Sequence, residues 1–277
     1  STRFHCNRGI IACHGSHTYD DLRGAIQHSC NPYFWNVYKK LIEMGEYSSK
    51  FKDSAHGLTV WNEYVKSFGL GVQLNSDLEG IKSGFVPDKS FYDKWYGEYR
   101  WAFSTIYSNS IGEGELGVVP IQMANFAAIL ANRGFYYTPH FVRAIGDGNK
   151  QERFKKKHFT MVDSTYFEPV IDALDAVVNE PGGTARRARL DSITVCGKTG
   201  TVQNKNTPDH SAFIAFAPRE NPKIAVSVYV EEAGFGGTWA APIAGLMIQK
   251  YLTGETNAAK EKRILEADFI HLNTKEE

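Results

Sequence analysis

The chain has 277 residues, of which 42% are hydrophobic and 22% charged, and 31 Lys+Arg offset 31 Asp+Glu for a formal net charge of zero. That composition supports a packed core and gives no electrostatic reason to expect nucleic acid or an anionic surface as a partner. No apolar run approaches the roughly 20 residues of a membrane-crossing helix; the most apolar stretch, 118–131, is broken by Pro120, Gln122 and Asn125.

In chain order, Thr18 and Asp21 have capping-box spacing, and Leu22, Ala25 and Ile26 follow at helical intervals. Asn31-Pro32 reads as an N-cap and first helical residue, followed by Phe34, Val37, Tyr38, Leu41 and Ile42 on one face and closed by Gly45. Ser29-Cys30-Asn31 therefore falls at a helix–helix junction. Residues 46–57 read as polar and irregular, 59–68 as a helix, and 70–117 as long packed loops. A helix is predicted from Pro120 to about Asn132, then a short hairpin over 135–162 with a basic tip at Lys155-Lys156-Lys157. Phe167, Val170, Ile171, Leu174, Val177 and Val178 mark the next helix.

Beyond Pro181-Gly182-Gly183 the period changes to two. Strands are predicted over 193–202, 211–217 and 224–230, the last two joined by a short turn as an antiparallel hairpin. Pro242 opens a final helix to Leu252, and the charged tail after Gly254 is expected to fray. This outlines an α/β (α+β) domain over 1–254, helical in its first two thirds with an antiparallel meander near its end, and a tail over 255–277.

Two nucleotide-site motifs fail on context. Gly197-Lys198-Thr199 has Ser192 where a phosphate loop requires glycine, and it lies within a strand pattern. Gly112-Glu113-Gly114-Glu115-Leu116-Gly117 fits a dinucleotide fingerprint by letters, but it has no clean preceding strand, and Tyr137 stands where an acid is wanted. What Lys198-Thr199-Gly200-Thr201 does offer is a cation on a strand next to a residue without a side chain, where a ligand's backbone can lie against the strand.

That K-T-G-T, with Ser29-Cys30-Asn31 some 170 residues earlier and a terminal helix, resembles the penicillin-binding transpeptidases. Asp21-Leu22-Arg23-Gly24-Ala25-Ile26, Ile111-Gly112-Glu113-Gly114, Val119-Pro120-Ile121-Gln122-Met123-Ala124, Gly183-Thr184-Ala185 and Phe216-Ala217-Pro218 follow the family's order. Ser-Cys-Asn-x-Tyr-Phe is most similar to class B, elongation-type members. The resemblance implies a penicillin-binding/serine β-lactamase-like fold, an antiparallel sheet flanked by helices. It also implies D,D-transpeptidation of peptidoglycan stem peptides through a serine acyl-enzyme, with inhibition by β-lactams and no cofactor needed for catalysis. Other activities on the same fold are a D,D-carboxypeptidase, a β-lactamase-like hydrolase or a non-catalytic β-lactam sensor. Implied partners are stem peptides, β-lactams, a membrane glycan polymerase and other elongation-complex proteins, with no nucleic acid. The implied location is the periplasmic face of the bacterial inner membrane, with the anchor outside these residues.

By the same resemblance Ser29 and Lys198 exchange a proton, Asn31 holds the substrate amide, and Thr199, Gly200 and Thr201 line the substrate strand, Thr201 offering an oxyanion donor. The family's nucleophile belongs to a Ser-x-x-Lys motif placed before Ser-x-Asn. The single Ser-x-x-Lys here, Ser49-Lys50-Phe51-Lys52, follows it and reads as solvated loop. The nucleophile helix and first strands are therefore expected to lie upstream of Ser1.

Cys6, Cys13, His17 and Cys30, spaced C-x6-C-x3-H-x12-C, form a three-sulfur, one-nitrogen set suited to tetrahedral zinc, and His14 could replace His17. A Cys6–Cys13 disulfide or unligated thiols are the alternatives. Cys196 reads as a small buried apolar residue.

Overall fold

The computed structural model describes residues 4–5, 11, 13, 19–146, 148, 151–204 and 206–268. The chain gathers into two compact units, one of residues 1–25, 30–122 and 134–163, the other of 26–29, 123–133 and 164–277.

In the first unit β1 (Phe4–His5) pairs antiparallel with β2 (Tyr19–Asp20). Helix α1 (Leu22–His28) begins where the Asp21 carboxylate accepts the Gly24 N–H at 3.0 Å, so Asp21 itself serves as the cap. Thr18, its expected capping partner, lies outside the described residues. Helix α2 (Asn31–Ile42) starts one residue earlier than expected, with Cys30 in the extended N-cap conformation and Asn31 as the first helical residue.

The largest departure is α3 (Lys50–Ser67), which runs through residues expected to be irregular. Its order comes from Asp53, buried in the first turn, whose carboxylate accepts the N–H groups of Gly45, Glu46 and Tyr47 at 2.9, 3.0 and 3.3 Å. Within the helix, Gly57 lies against the end of α2, where a Cβ would come 2.3 Å from the Ile42 carbonyl oxygen. A helix-breaking residue by propensity is thus a packing requirement here.

The expected loops contain α4 (Lys89–Tyr96), capped by Asp88, then α5 (Phe103–Ile106) and a 3-10 turn over Tyr107–Ile111. Tyr38, Ile42, Ala55, Leu58, Tyr92, Trp101, Phe103 and Ile106 form the core these helices share. The preceding loop is fastened by Gln122, a fully buried residue whose amide nitrogen is 3.1, 3.1 and 2.7 Å from the carbonyl oxygens of Gly69, Val72 and Ser83. Helix α6 is Pro120–Ala131. Strands β3 (Phe135–Tyr137) and β4 (Lys157–Phe159) pair antiparallel, and Lys157 opens the second strand instead of sitting at a hairpin tip. Gly112 and Gly114 have φ of 79° and 78°, and Gly117 bridges Phe85, so the fingerprint-like string before α6 is a turn-rich loop.

The second unit is built on the antiparallel sheet β5-β6-β7, with β5 Cys196–Val202, β6 His210–Ala217 and β7 Ile224–Val230. Pairing sets Lys198 opposite Ile214, which in turn faces Ser227 of β7, and Thr199 opposite Phe213, which faces Val228. Phe213, Ala215, Val226 and Val228 turn to one face, and buried positions of α7 (Phe167–Asn179) and α8 (Ala240–Thr253) complete the core. Cys196 is fully buried, and desolvation pushes its thiol up to about 12, leaving it an inert apolar residue. The segment expected to fray forms α9 (Ala258–Leu265), because the Asn257 side chain caps it by accepting the Lys260 N–H at 3.0 Å.

Candidate active site

Residues 26–29 belong to the second unit, the unit that also carries β5. After α1, Ser29 has a left-handed backbone, φ 57°, with its N–H donating to the Ile26 carbonyl at 3.3 Å. A non-glycine residue rarely takes that conformation. Here it accompanies a specific contact: Lys198 Nζ donates to Ser29 Oγ at 2.9 Å, across 169 positions of sequence.

Lys198 also lies 3.0 Å from the Thr199 carbonyl oxygen and 3.4 Å from Thr199 Oγ1. Loss of water around its ammonium brings the lysine pKa from 10.5 to about 8, since burial disfavours the charged form. A lysine in that state can both give and take a proton near neutral pH, and a hydroxyl at hydrogen-bond distance is its natural partner. Thr199 Oγ1 is in turn 2.8 Å from Thr184 Oγ1, so the loop after α7 joins the same hydrogen-bonded set.

The loop joining β7 to α8 lies on the sheet at Gly200. A Cβ on Gly236 would meet the Ala212 and Gly200 carbonyl oxygens at 2.3 and 2.4 Å, and the Gly236 N–H points to Thr201 Oγ1 at 3.4 Å. Ser211 Oγ ties the same loop by donating to the Phe235 carbonyl at 3.0 Å and accepting the Ala240 N–H at 3.1 Å. Thr184, Gly236 and Ser211 were not among the expected site residues. The sequence marked Thr184 only through Gly183-Thr184-Ala185, and nothing marked the other two.

The remaining expected positions are distributed differently. Asn31 opens α2 in the first unit. Ser49 is the N-cap of α3, and Lys50 and Lys52 are exposed on that helix, not in a loop. Cys13 packs against the buried cluster Ala25, Cys30 and Tyr33. Cys6 and His17 lie outside the described residues. Among the described residues no group of three or more His, Cys, Asp or Glu side chains is disposed to hold a metal ion.

An antiparallel sheet backed by helices thus carries, on one strand, a desolvated lysine hydrogen-bonded to a serine at a helix end, a pair chemically able to exchange a proton. Residues 2–249 match the family described as the penicillin binding protein transpeptidase domain, and the chain belongs to that family. A peptidoglycan D,D-transpeptidase MrdA of Haemophilus influenzae is 29% identical over 259 residues, which are 85% of this chain and 37% of that protein. The chain thus spans little more than a third of that relative. Among solved structures, penicillin-binding protein 2 of Pseudomonas aeruginosa in complex with WCK 5153 superposes with a TM-score of 0.72 at 27% identity, covering 88% of this chain and 50% of that one. The Helicobacter pylori penicillin-binding protein 2, solved with MreC, shares the fold with a TM-score of 0.71 at 22% identity, covering 91% of this chain and 45% of that one.

Proposed function

We propose that the protein is a peptidoglycan D,D-transpeptidase of the elongation type, its transpeptidase domain taken as 1–254 with 255–277 as a C-terminal extension. The observation that carries this reading is the 2.9 Å contact between Ser29 and Lys198 on the K-T-G-T strand of a family member. In the proposed reaction a serine from a Ser-x-x-Lys motif outside these residues attacks the carbonyl of the penultimate residue of a stem peptide, giving its proton to the lysine of that motif. The peptide C–N bond breaks, and the leaving amine takes its proton from Ser29, which Lys198 resupplies. An acceptor amine then attacks the acyl-enzyme and gives its proton to the Ser29–Lys198 pair, while the ester C–O bond breaks and the departing serine takes back its proton from the lysine of its own motif. Asn31 holds the substrate amide, Thr199 and Gly200 line its backbone, and the Thr201 N–H serves the oxyanion.

The corresponding location is the periplasmic face of the inner membrane, beside a glycan polymerase and other elongation proteins; the MreC complex of the Helicobacter pylori relative supports such company. No helix among the described residues is long and apolar enough to cross a membrane.

Exposure to a fluorescent penicillin followed by a denaturing gel tests the assignment of the nucleophile. The 277-residue chain should stay unlabelled, because neither Ser29 nor Ser49 is the attacking group. Labelling of this chain that unlabelled penicillin competes away, and that Ser29→Ala or Ser49→Ala abolishes, would overturn the role given to that serine.

Cys6, Cys13, His17 and Cys30 are proposed to hold a structural zinc ion. The support is their donor set and the packing of Cys13 and Cys30 in one cluster. Protein purified without chelator should contain about one zinc per chain, as a single tetrahedral site requires, and should lose it in Cys30→Ser. A Cys6–Cys13 disulfide found by mass spectrometry would overturn the site.

A further inference from the structure

His210, the first residue of β6, stands where the turn after β5 meets the loop after β7. Its Nδ1 accepts the Glu232 backbone N–H at 2.9 Å, and its Nε2 lies 3.3 Å from the Asn204 side-chain amide. A ring nitrogen that accepts from a backbone N–H carries no proton, so the ring proton belongs on Nε2. It finds an acceptor there when the Asn204 amide turns its oxygen toward the ring. Beside His210, the Asp209 carbonyl accepts the Gly234 N–H at 2.7 Å. These two bonds fasten the first half of the loop whose Gly236 is pressed onto Gly200 and faces Thr201.

We propose that His210 is a positioning residue of this site: its unprotonated Nδ1 holds the loop of residues 231–237 against the K-T-G-T strand, and protonation of the ring releases that loop. A protonated imidazole has a donor on both nitrogens, so Nδ1–H would face the Glu232 N–H donor to donor. Imidazole is the side chain that changes charge between about pH 5 and 8. The other titratable or charged groups of the elements meeting at His210 are Asp209 on its own turn, Tyr229 of β7, whose ring centroid is 5.5 Å away, and Glu231 and Glu232 in the loop. The Glu232 N–H donates to His210 Nδ1 and not to one of these carboxyl or phenol oxygens. The catalytic consequence rests on the transpeptidase reading; the loop's dependence on His210 does not.

Two substitutions separate the roles. His210→Asn places an acceptor oxygen close to the Nδ1 position and removes the titration, whereas His210→Leu removes both. Amide hydrogen exchange of residues 231–238, corrected for intrinsic rates, is compared at pH 8 and pH 5.5, with amides of the β5–β6 ladder as the control for folding. The expected result is a loss of protection of about fivefold or more at the lower pH in the parent chain, corresponding to the roughly 1 kcal/mol of one hydrogen bond. The Asn variant should keep its protection at both values, and the Leu variant should be unprotected at both. Protection in the parent chain that does not change with pH, or an Asn variant that loses protection as the parent does, overturns the proposal. The second arm is acylation by a fluorescent penicillin in protein that carries the nucleophile. Its rate should fall toward pH 5.5 in the parent and less in the Asn variant. If exchange behaves as expected and no acylation occurs at any pH, the transpeptidase reading fails and the positioning role of His210 stands.

Discussion

Ser29 and Lys198 each incur a local cost, and the two costs can be measured separately. Ser29 holds φ at 57°, where a Cβ is disfavoured and glycine is not. Ser29→Ala and Ser29→Gly both remove the hydroxyl, so the difference between them reports the backbone alone. The Gly variant should be the more stable by about 1 kcal/mol in denaturant unfolding. Lys198 has its pKa lowered from 10.5 to about 8 by burial, so it binds its proton less tightly in the fold than in the unfolded chain. Its burial therefore costs stability in full below pH 8, and the cost fades as pH rises toward 10.5. Lys198→Met should raise stability at pH 7 by roughly 1–3 kcal/mol, a range allowing for the lost hydrogen bond to Ser29, and the gain should shrink steadily to pH 10.5. A gain independent of pH would show that packing, not charge burial, was responsible. Both residues were legible in the sequence because short motifs carry them. His210 and Gly236 were not, since their roles depend on a loop crossing a strand far from it in sequence.

Secondary structure was most legible where hydrophobic period and burial agree. The sheet strands and α7 fall close to where the sequence placed them, because Ile171, Leu174 and Val178 on the helix and Val226 and Val228 on the strand alternate with less buried positions. The first half of α3 was missed because its stability comes from two features that periodicity does not register. One is the Asp53 carboxylate collecting three N–H groups from the preceding turn, and the other is the approach of Ile42 to Gly57. In an open helix Gly57→Ala would gain about 1 kcal/mol. Here the added methyl meets backbone, and the substitution should lower stability by about 2 kcal/mol or more. A rise in melting temperature would mean that α2 yields readily at this point.

Over the whole molecule, the division into two units was not legible, because no linker-like composition marks it. The helices within 89–111 also escaped notice, being short and ordered by the aromatic core of Tyr92, Trp101 and Phe103. In the second unit β5 and β7 each pair with β6 alone among the described residues. Strand edges with unpaired N–H and C=O groups recruit other chains. The isolated chain should therefore show concentration-dependent association in sedimentation velocity. Ser227→Lys, a charge placed on β7, should reduce it; a monomer at all concentrations would argue that both edges are covered.

The Gln122 amide reaches three backbone carbonyls spread over fifteen positions, 69 to 83, so one buried side chain joins both ends of an otherwise irregular stretch, whose middle Asp77 ties separately by accepting the Phe141 and Val142 N–H groups. Segments held in this way open together instead of fraying from one end. The slowest amides between Gly69 and Gly84 should then exchange in concert, with one opening free energy. A Gln122→Glu change, which replaces the amide donors with a carboxylate facing those carbonyls, should release the whole stretch to solvent and proteases while leaving the three-stranded sheet intact.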